Sequence, residues 1–136
     1  MSVVIDTSLA MTWCFADEAT PATDALLRRI GTLDAVAPPL FRRETSNVLL
    51  TAERRGRITE TQTRRLVGLL ERLPIRIEDS PVDTQALVAL AREHRLGAYD
   101  ADYLLLAQRL GADLATLDVR LAKAAATSGV PLAVQP

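Results

Sequence analysis

The chain has 136 residues, 49% of them apolar and 24% charged, and carries a formal net charge of −1. These proportions exclude a disordered polyampholyte, a collagen-like chain and a coiled-coil rod, and the length predicts a single domain over residues 1–136 with a substantial core. The near-neutral charge does not mark a bulk nucleic-acid binder, yet all 16 cations except Lys123 are arginine, whose planar fork suits phosphate and carboxylate.

Ser2, Val3, Val4 and Ile5 predict a short buried strand, stopped by Asp6, Thr7 and Ser8, which are able to cap a following helix. Residues 9–15 are apolar and helical by pattern, and after the turn at Pro21 a helix over 22–30 stops at Gly31. A strand is expected at 35–37. Pro38 and Pro39 then open a long helix with Leu40, Val48, Leu49 and Ala52 on its apolar face, ending at Gly56. Thr59 and Gln62 have the spacing of a capping box, starting a helix that carries Leu66, Leu69, Leu70 and Leu73. Ile75, Arg76 and Ile77 alternate as a strand. Pro81 starts a helix running to about Arg95, Gly97 breaks the pattern, and a further helix over 99–110 ends at Gly111. A strand at 113–117, a helix at 119–126 and a last strand at 131–134 complete the chain. Strands alternating with helices predict an α/β fold, with a mostly parallel sheet covered on both faces.

No apolar run approaches the roughly 20 residues of a membrane-spanning helix. No basic leader precedes the apolar N-terminus either, so the expectation is a cytoplasmic chain without membrane contact. Cys14 is the single cysteine and His94 the single histidine. Neither a disulfide nor a Cys/His zinc cage can form, and a metal would have to be held by oxygen. His94, among Arg92, Glu93 and Arg95, reads as a solvated surface residue.

Asp6 and Asp118 directly follow predicted strands, and ligands of open α/β sheets bind beyond the carboxyl ends of the strands. Glu44 and Asp100 follow helix starts. A helix dipole favours an acid there by about 0.3 to 1 kcal/mol, so each taken alone has a purely structural explanation. Four acids brought to one edge are different: two carboxylates about 5 Å apart repel by roughly 3 kcal/mol at an effective dielectric near 20. A hard cation such as Mg²⁺ or Mn²⁺ removes that strain, and it would also take over the activation of water in a chain without a histidine base. Thr7, Ser8 and Thr116 supply hydroxyls beside these acids, for bound water or a phosphate oxygen, with helix capping an equal role for Ser8. Asn47, one turn from Glu44, could orient that carboxylate or reach substrate. Asp102 stands about 200° around the helix from Asp100 and is expected to face away from any ion that Asp100 binds. Trp13, Cys14 and Phe15 read as core or partner-contact residues, and the run from Tyr103 to Leu106 reads as packing.

The segments Val4-Ile5-Asp6-Thr7-Ser8, Glu44-Thr45-Ser46-Asn47-Val48-Leu49, Ala98-Tyr99-Asp100-Ala101-Asp102-Tyr103-Leu104 and Ala115-Thr116-Leu117-Asp118, in this order and over essentially the whole chain, resemble the PIN-domain ribonucleases, in particular the VapC-type toxins of toxin–antitoxin pairs. The resemblance implies a three-layer α/β/α fold with about five mostly parallel strands. It also implies a pocket for Mg²⁺ or Mn²⁺ in which Asp6, Glu44, Asp100 and Asp118 match the family's four acids. Asp6 and Asp100 would be metal ligands, Glu44 would join directly or through water, and Asp118 would serve a second ion or its water. Thr7 and Thr116 match supporting hydroxyls. Asp102 replaces a residue that is usually small or apolar in the family. The implied reaction is endonucleolytic hydrolysis of RNA to a 5′-phosphate and a 3′-hydroxyl, with Arg42 and Arg43 as candidates for RNA contact. A cognate antitoxin and a homodimer are further implications.

Two other magnesium-dependent designs fit less well. A phosphoreceiver module needs a lysine at a strand end, whereas Lys123 falls inside a predicted helix. A haloacid-dehalogenase-like phosphatase needs a second aspartate two residues after Asp6, where Ser8 stands. A catalytically silent PIN-like protein-binding scaffold is the remaining alternative.

Overall fold

The first strand, β1 (Ser2–Ile5), lies at the centre of the molecule, with Val3, Val4 and Ile5 each at most 2% exposed. A strand buried on both faces is apolar without alternation, which is why this run carries so clear a signal. The computed structural model describes all residues 1–136. β1 is flanked by β2 (Asp34–Ala37) and β4 (Asp113–Ala115), with β3 (Ile75–Ile77) outside β2, in the order β3-β2-β1-β4 with every pairing parallel. Val4 is in register with Val36 on one side and Leu114 on the other. All strands therefore end on the same edge.

Seven helices cover both faces: α1 (Thr7–Met11), α2 (Pro21–Arg29), α3 (Leu40–Arg54), α4 (Glu60–Arg72), α5 (Thr84–His94), α6 (Ala98–Leu110) and α7 (Val119–Thr127). α6 packs on β1 between α5 and α7, whereas α3 packs on α1 and α4. Ala101, Tyr103, Leu104, Leu105, Leu106 and Ala107 of α6 are all buried, the near-continuous burial of an interior helix. Gly111 ends it at φ 61°, the left-handed conformation that glycine adopts without a Cβ penalty. Thr59 and Gln62 form the expected capping box, and Thr20 and Thr23 form a second one at the start of α2.

The sheet departs from the expectation of about five strands. The last segment contributes a single bridge, Leu114 to Leu132, held by Leu114 N–H to Pro131 O and Ala133 N–H to Leu114 O. Pro131 has no amide hydrogen with which to extend the ladder. β4 stops at Ala115 rather than 117 because the next amides turn to side chains, Leu117 N–H to Ser8 Oγ and Asp118 N–H to Thr116 Oγ1. α1 begins at Thr7 and ends at Met11, since Asp6 rather than Ser8 is its cap. α5 starts at Thr84 because Asp83, beyond Pro81, accepts from Ala86 N–H. His94 is not a solvated surface residue: its side chain is 9% exposed.

Candidate active site

Asp6 leaves β1 in an extended conformation and caps α1, its Oδ1 accepting from Leu9 N–H at 2.9 Å and Ser8 Oγ at 2.8 Å. Thr116, at the end of β4, donates to Oδ2 at 2.5 Å. Three hydrogen bonds thus fix a carboxylate that is 5% exposed. Burial pushes its pKa up to about 6, against the pull of those hydrogen bonds and with a further push from Asp118. Ser8 Oγ, which also accepts from Leu117 N–H, ties the end of β4 to Asp6 and leaves the capping to its neighbour.

Asp118 caps α7 with Oδ1, accepting from Arg120 and Leu121 N–H, while Oδ2 has no hydrogen-bond partner. Asp100, in the first turn of α6, is half-buried and accepts no hydrogen bond. Its pKa is raised by burial, then by Asp118 and Glu44, with Arg120 opposing. None of Asp6, Glu44, Asp100 and Asp118 forms a salt bridge.

Glu44 lies beyond the first turn of α3, so the helix dipole does not account for its position. Its Oε1 accepts from Tyr103 OH at 2.6 Å and Thr7 Oγ1 at 3.0 Å, and these two hydroxyls are themselves 3.0 Å apart. Tyr103 is therefore not packing alone. Burial and the Glu44 hydrogen bond raise its pKa far above the ordinary phenol range, so it is a neutral donor at any working pH. Its signal in the sequence was its place one turn after Asp100 on α6, where residues three apart share a face.

The structure thus draws Asp6, Glu44, Asp100 and Asp118 to the carboxyl edge of the sheet, with Thr7, Ser8 and Thr116 in bonding contact with them. Asn47 is exposed and makes no hydrogen bond to Glu44. It lines an open groove of about 850 Å³ with Arg42, Arg43, Ser46 and Ile77, beside the acids rather than over them. Asp102 is half-buried, and its pKa is raised by burial first and then by Glu44, against Arg109.

The donor set is all carboxylate oxygen, the preference of Mg²⁺ and Mn²⁺. The mutually repelling free oxygens of Asp100, Asp118 and Glu44 are what such an ion neutralises. As the side chains stand, no three acids are placed to hold one ion together.

The PIN-domain family model matches residues 3–127. Among solved structures, the chain is similar to the crystal structure of PAE2754 from Pyrobaculum aerophilum, with a TM-score of 0.73 and 24% identity over 99% of this chain and 89% of that one, a likeness of fold. No curated protein matches. With the model covering nearly its full length, the chain belongs to the PIN-domain family, whose members are generally metal-dependent nucleases.

Proposed function

We propose that the protein is an Mg²⁺- or Mn²⁺-dependent endoribonuclease and the toxin of a type II, VapC-like toxin–antitoxin pair. The observation that supports this reading is the gathering of four acids from parts of the chain far apart in sequence, none of them in a salt bridge, three of them (Glu44, Asp100 and Asp118) with an oxygen that accepts no hydrogen bond. A structural ion-pair network would have paired them. PIN nucleases act on RNA, and the acids have the chemistry to serve that reaction.

Asp6 and Asp100 would hold the ion, Glu44 directly or through water, and Asp118 a second ion or its water. The cation supplies Lewis acidity for water and neutralises charge building on the phosphoryl oxygens. Thr116, Ser8 and the Leu9 amide orient Asp6, and Tyr103 with Thr7 holds one oxygen of Glu44 so that the other is available. Arg42 and Arg43 neutralise phosphates of the strand in the groove along α3. A cognate antitoxin keeps the enzyme silent in the cytoplasm, and the active form is a homodimer.

The absence of a ready three-acid ligand group favours one competing reading, a silent protein-binding scaffold. Cleavage of an RNA pool with and without Mg²⁺ or Mn²⁺ separates the two. Metal-dependent cutting, lost in Asp6→Asn and Asp100→Asn variants that remain folded, is expected. Equal cutting by Asp100→Asn and wild type contradicts the site, and no cutting of any RNA supports the scaffold. Suppression of cutting by the product of a small adjacent reading frame tests the toxin assignment.

A further inference from the structure

One turn of chain before Asp100, the charge changes sign. α5 ends at His94, and Arg95 closes it at φ 54°, the one non-glycine residue of the chain with positive φ. Its amide is held by the Ala91 and Arg92 carbonyls, which fixes Arg95 at the corner leading into α6. α7 brings Arg120 and Lys123 to the same place, and these residues with Glu93 and His94 line a concave space of about 360 Å³. That volume lies in the range of small-ligand sites.

Two features set this pocket apart from an ordinary solvated face. Arg95, Arg120 and Lys123 share it with one carboxylate, Glu93, and none of the three forms an ion pair. His94, the pocket's buried wall, keeps Nε2 out of solvent with no hydrogen-bond partner, 3.9 Å from a Glu93 oxygen. Unpaired guanidinium and ammonium groups around such a ring are the complement of a phosphate.

The pocket adjoins the acids through Arg120, whose backbone N–H donates to Asp118 Oδ1 at 2.9 Å. Along the carboxyl edge it lies on the side of β4, opposite the groove with Arg42 and Arg43 beside β3. We infer that the pocket between α5 and α7 binds a backbone phosphate of the RNA strand adjacent to the one that is cut. The identity of the ligand rests on the nuclease reading; the pocket's preference for an anion does not.

The test is binding of a labelled single-stranded RNA, followed by fluorescence anisotropy in Ca²⁺ buffer, with the RNA shown intact on a gel. Arg95→Gly/Lys123→Ala is the test variant, because glycine accepts the left-handed backbone at position 95 and Lys123 is exposed, so the fold is kept. Arg28→Ala/Arg29→Ala is the control, since Arg29 lies near Met1 and Asp113 at the opposite edge of the sheet. The test variant is expected to bind about tenfold more weakly, with the slope of log K against log salt shallower by about 0.7 for a lost phosphate contact. The control should match wild type. Wild-type affinity and slope in Arg95→Gly/Lys123→Ala overturn the inference while leaving the nuclease reading intact. If wild type binds no RNA, the nuclease reading fails and the RNA assignment with it. If inorganic phosphate raises the melting temperature of wild type but not of the test variant, while their RNA affinities are equal, the site belongs to free phosphate and the RNA assignment is overturned.

Discussion

Asp34 and Asp6 stand at opposite ends of neighbouring strands and titrate in opposite directions. Asp34 opens β2, is hydrogen-bonded by Ser2 and by Arg76, and its pKa is lowered, the Arg76 hydrogen bond contributing most. Asp6 follows β1, is buried with hydroxyls and an amide but no cation, and its pKa is pushed up to about 6. Asp34 has its charge paired by Arg76, whereas Asp6, Glu44, Asp100 and Asp118 form no salt bridge. Paired surface charge is the ordinary structural solution, and its contribution is small. Unmatched buried charge is retained against stability, which is how perturbed carboxylates come to mark sites of chemistry.

The contrast breaks most visibly in activity. Asp6→Asn or Asp100→Asn should lower RNA cleavage by about a thousandfold, the several kcal/mol that a cation held by these oxygens contributes. Single-turnover cleavage checks it, and a loss below tenfold would detach these acids from the chemistry.

Stability should move the other way. The folded pKa of Asp6 is raised from 3.8 to about 6, so between those values the native state binds more protons than the unfolded one. Stability therefore falls as pH rises through that window, by roughly 3 kcal/mol from this group. In chelator, Asp6→Asn should be more stable than wild type at pH 7 and lose most of the pH dependence. Denaturant titrations from pH 4 to pH 7 read this directly, and a wild-type curve flat over that range would contradict it.

Smaller effects sharpen the picture. Tyr103→Phe removes one of two hydroxyls on Glu44 Oε1 and should reduce cleavage about tenfold, the worth of one hydrogen bond, with circular dichroism unchanged. Asp34→Asn, at an exposed ion pair, should leave cleavage at the wild-type value and change the pH profile of stability only at acid pH, below the usual carboxylate range, where the lowered pKa of Asp34 acts.

Asp6 and Asp118 were legible as site candidates because they directly follow buried apolar strands, and strand ends define where α/β sheets bind ligands. The capping box of Thr59 and Gln62 and the glycine stop of α6 were legible for the same local reason. What depended on how distant elements meet was not. Tyr103 looked like packing because its ring is packed; its hydroxyl acquires a role only when α3 brings Glu44 to it. Asp102 was expected not to share an ion with Asp100, by helical geometry; that α3 brings Glu44 near enough to raise its pKa was not legible in the sequence. Asn47 has the right spacing from Glu44, yet its side chain belongs to the neighbouring groove. His94 has a polar sequence environment but lies in the wall between α5 and α7. The last strand shrank to a bridge because a proline sits where its ladder would start.

Under the proposed function, Asp6, Glu44, Asp100 and Asp118 together take up a divalent cation. Calorimetric titration of Mn²⁺ into wild type, Asp6→Asn and Asp100→Asn tests it most directly. Saturable binding to wild type, with proton release near pH 6 as Asp6 ionises, and loss of binding in both variants is the expected result. Equal Mn²⁺ binding by all three proteins, or none by wild type, would contradict it.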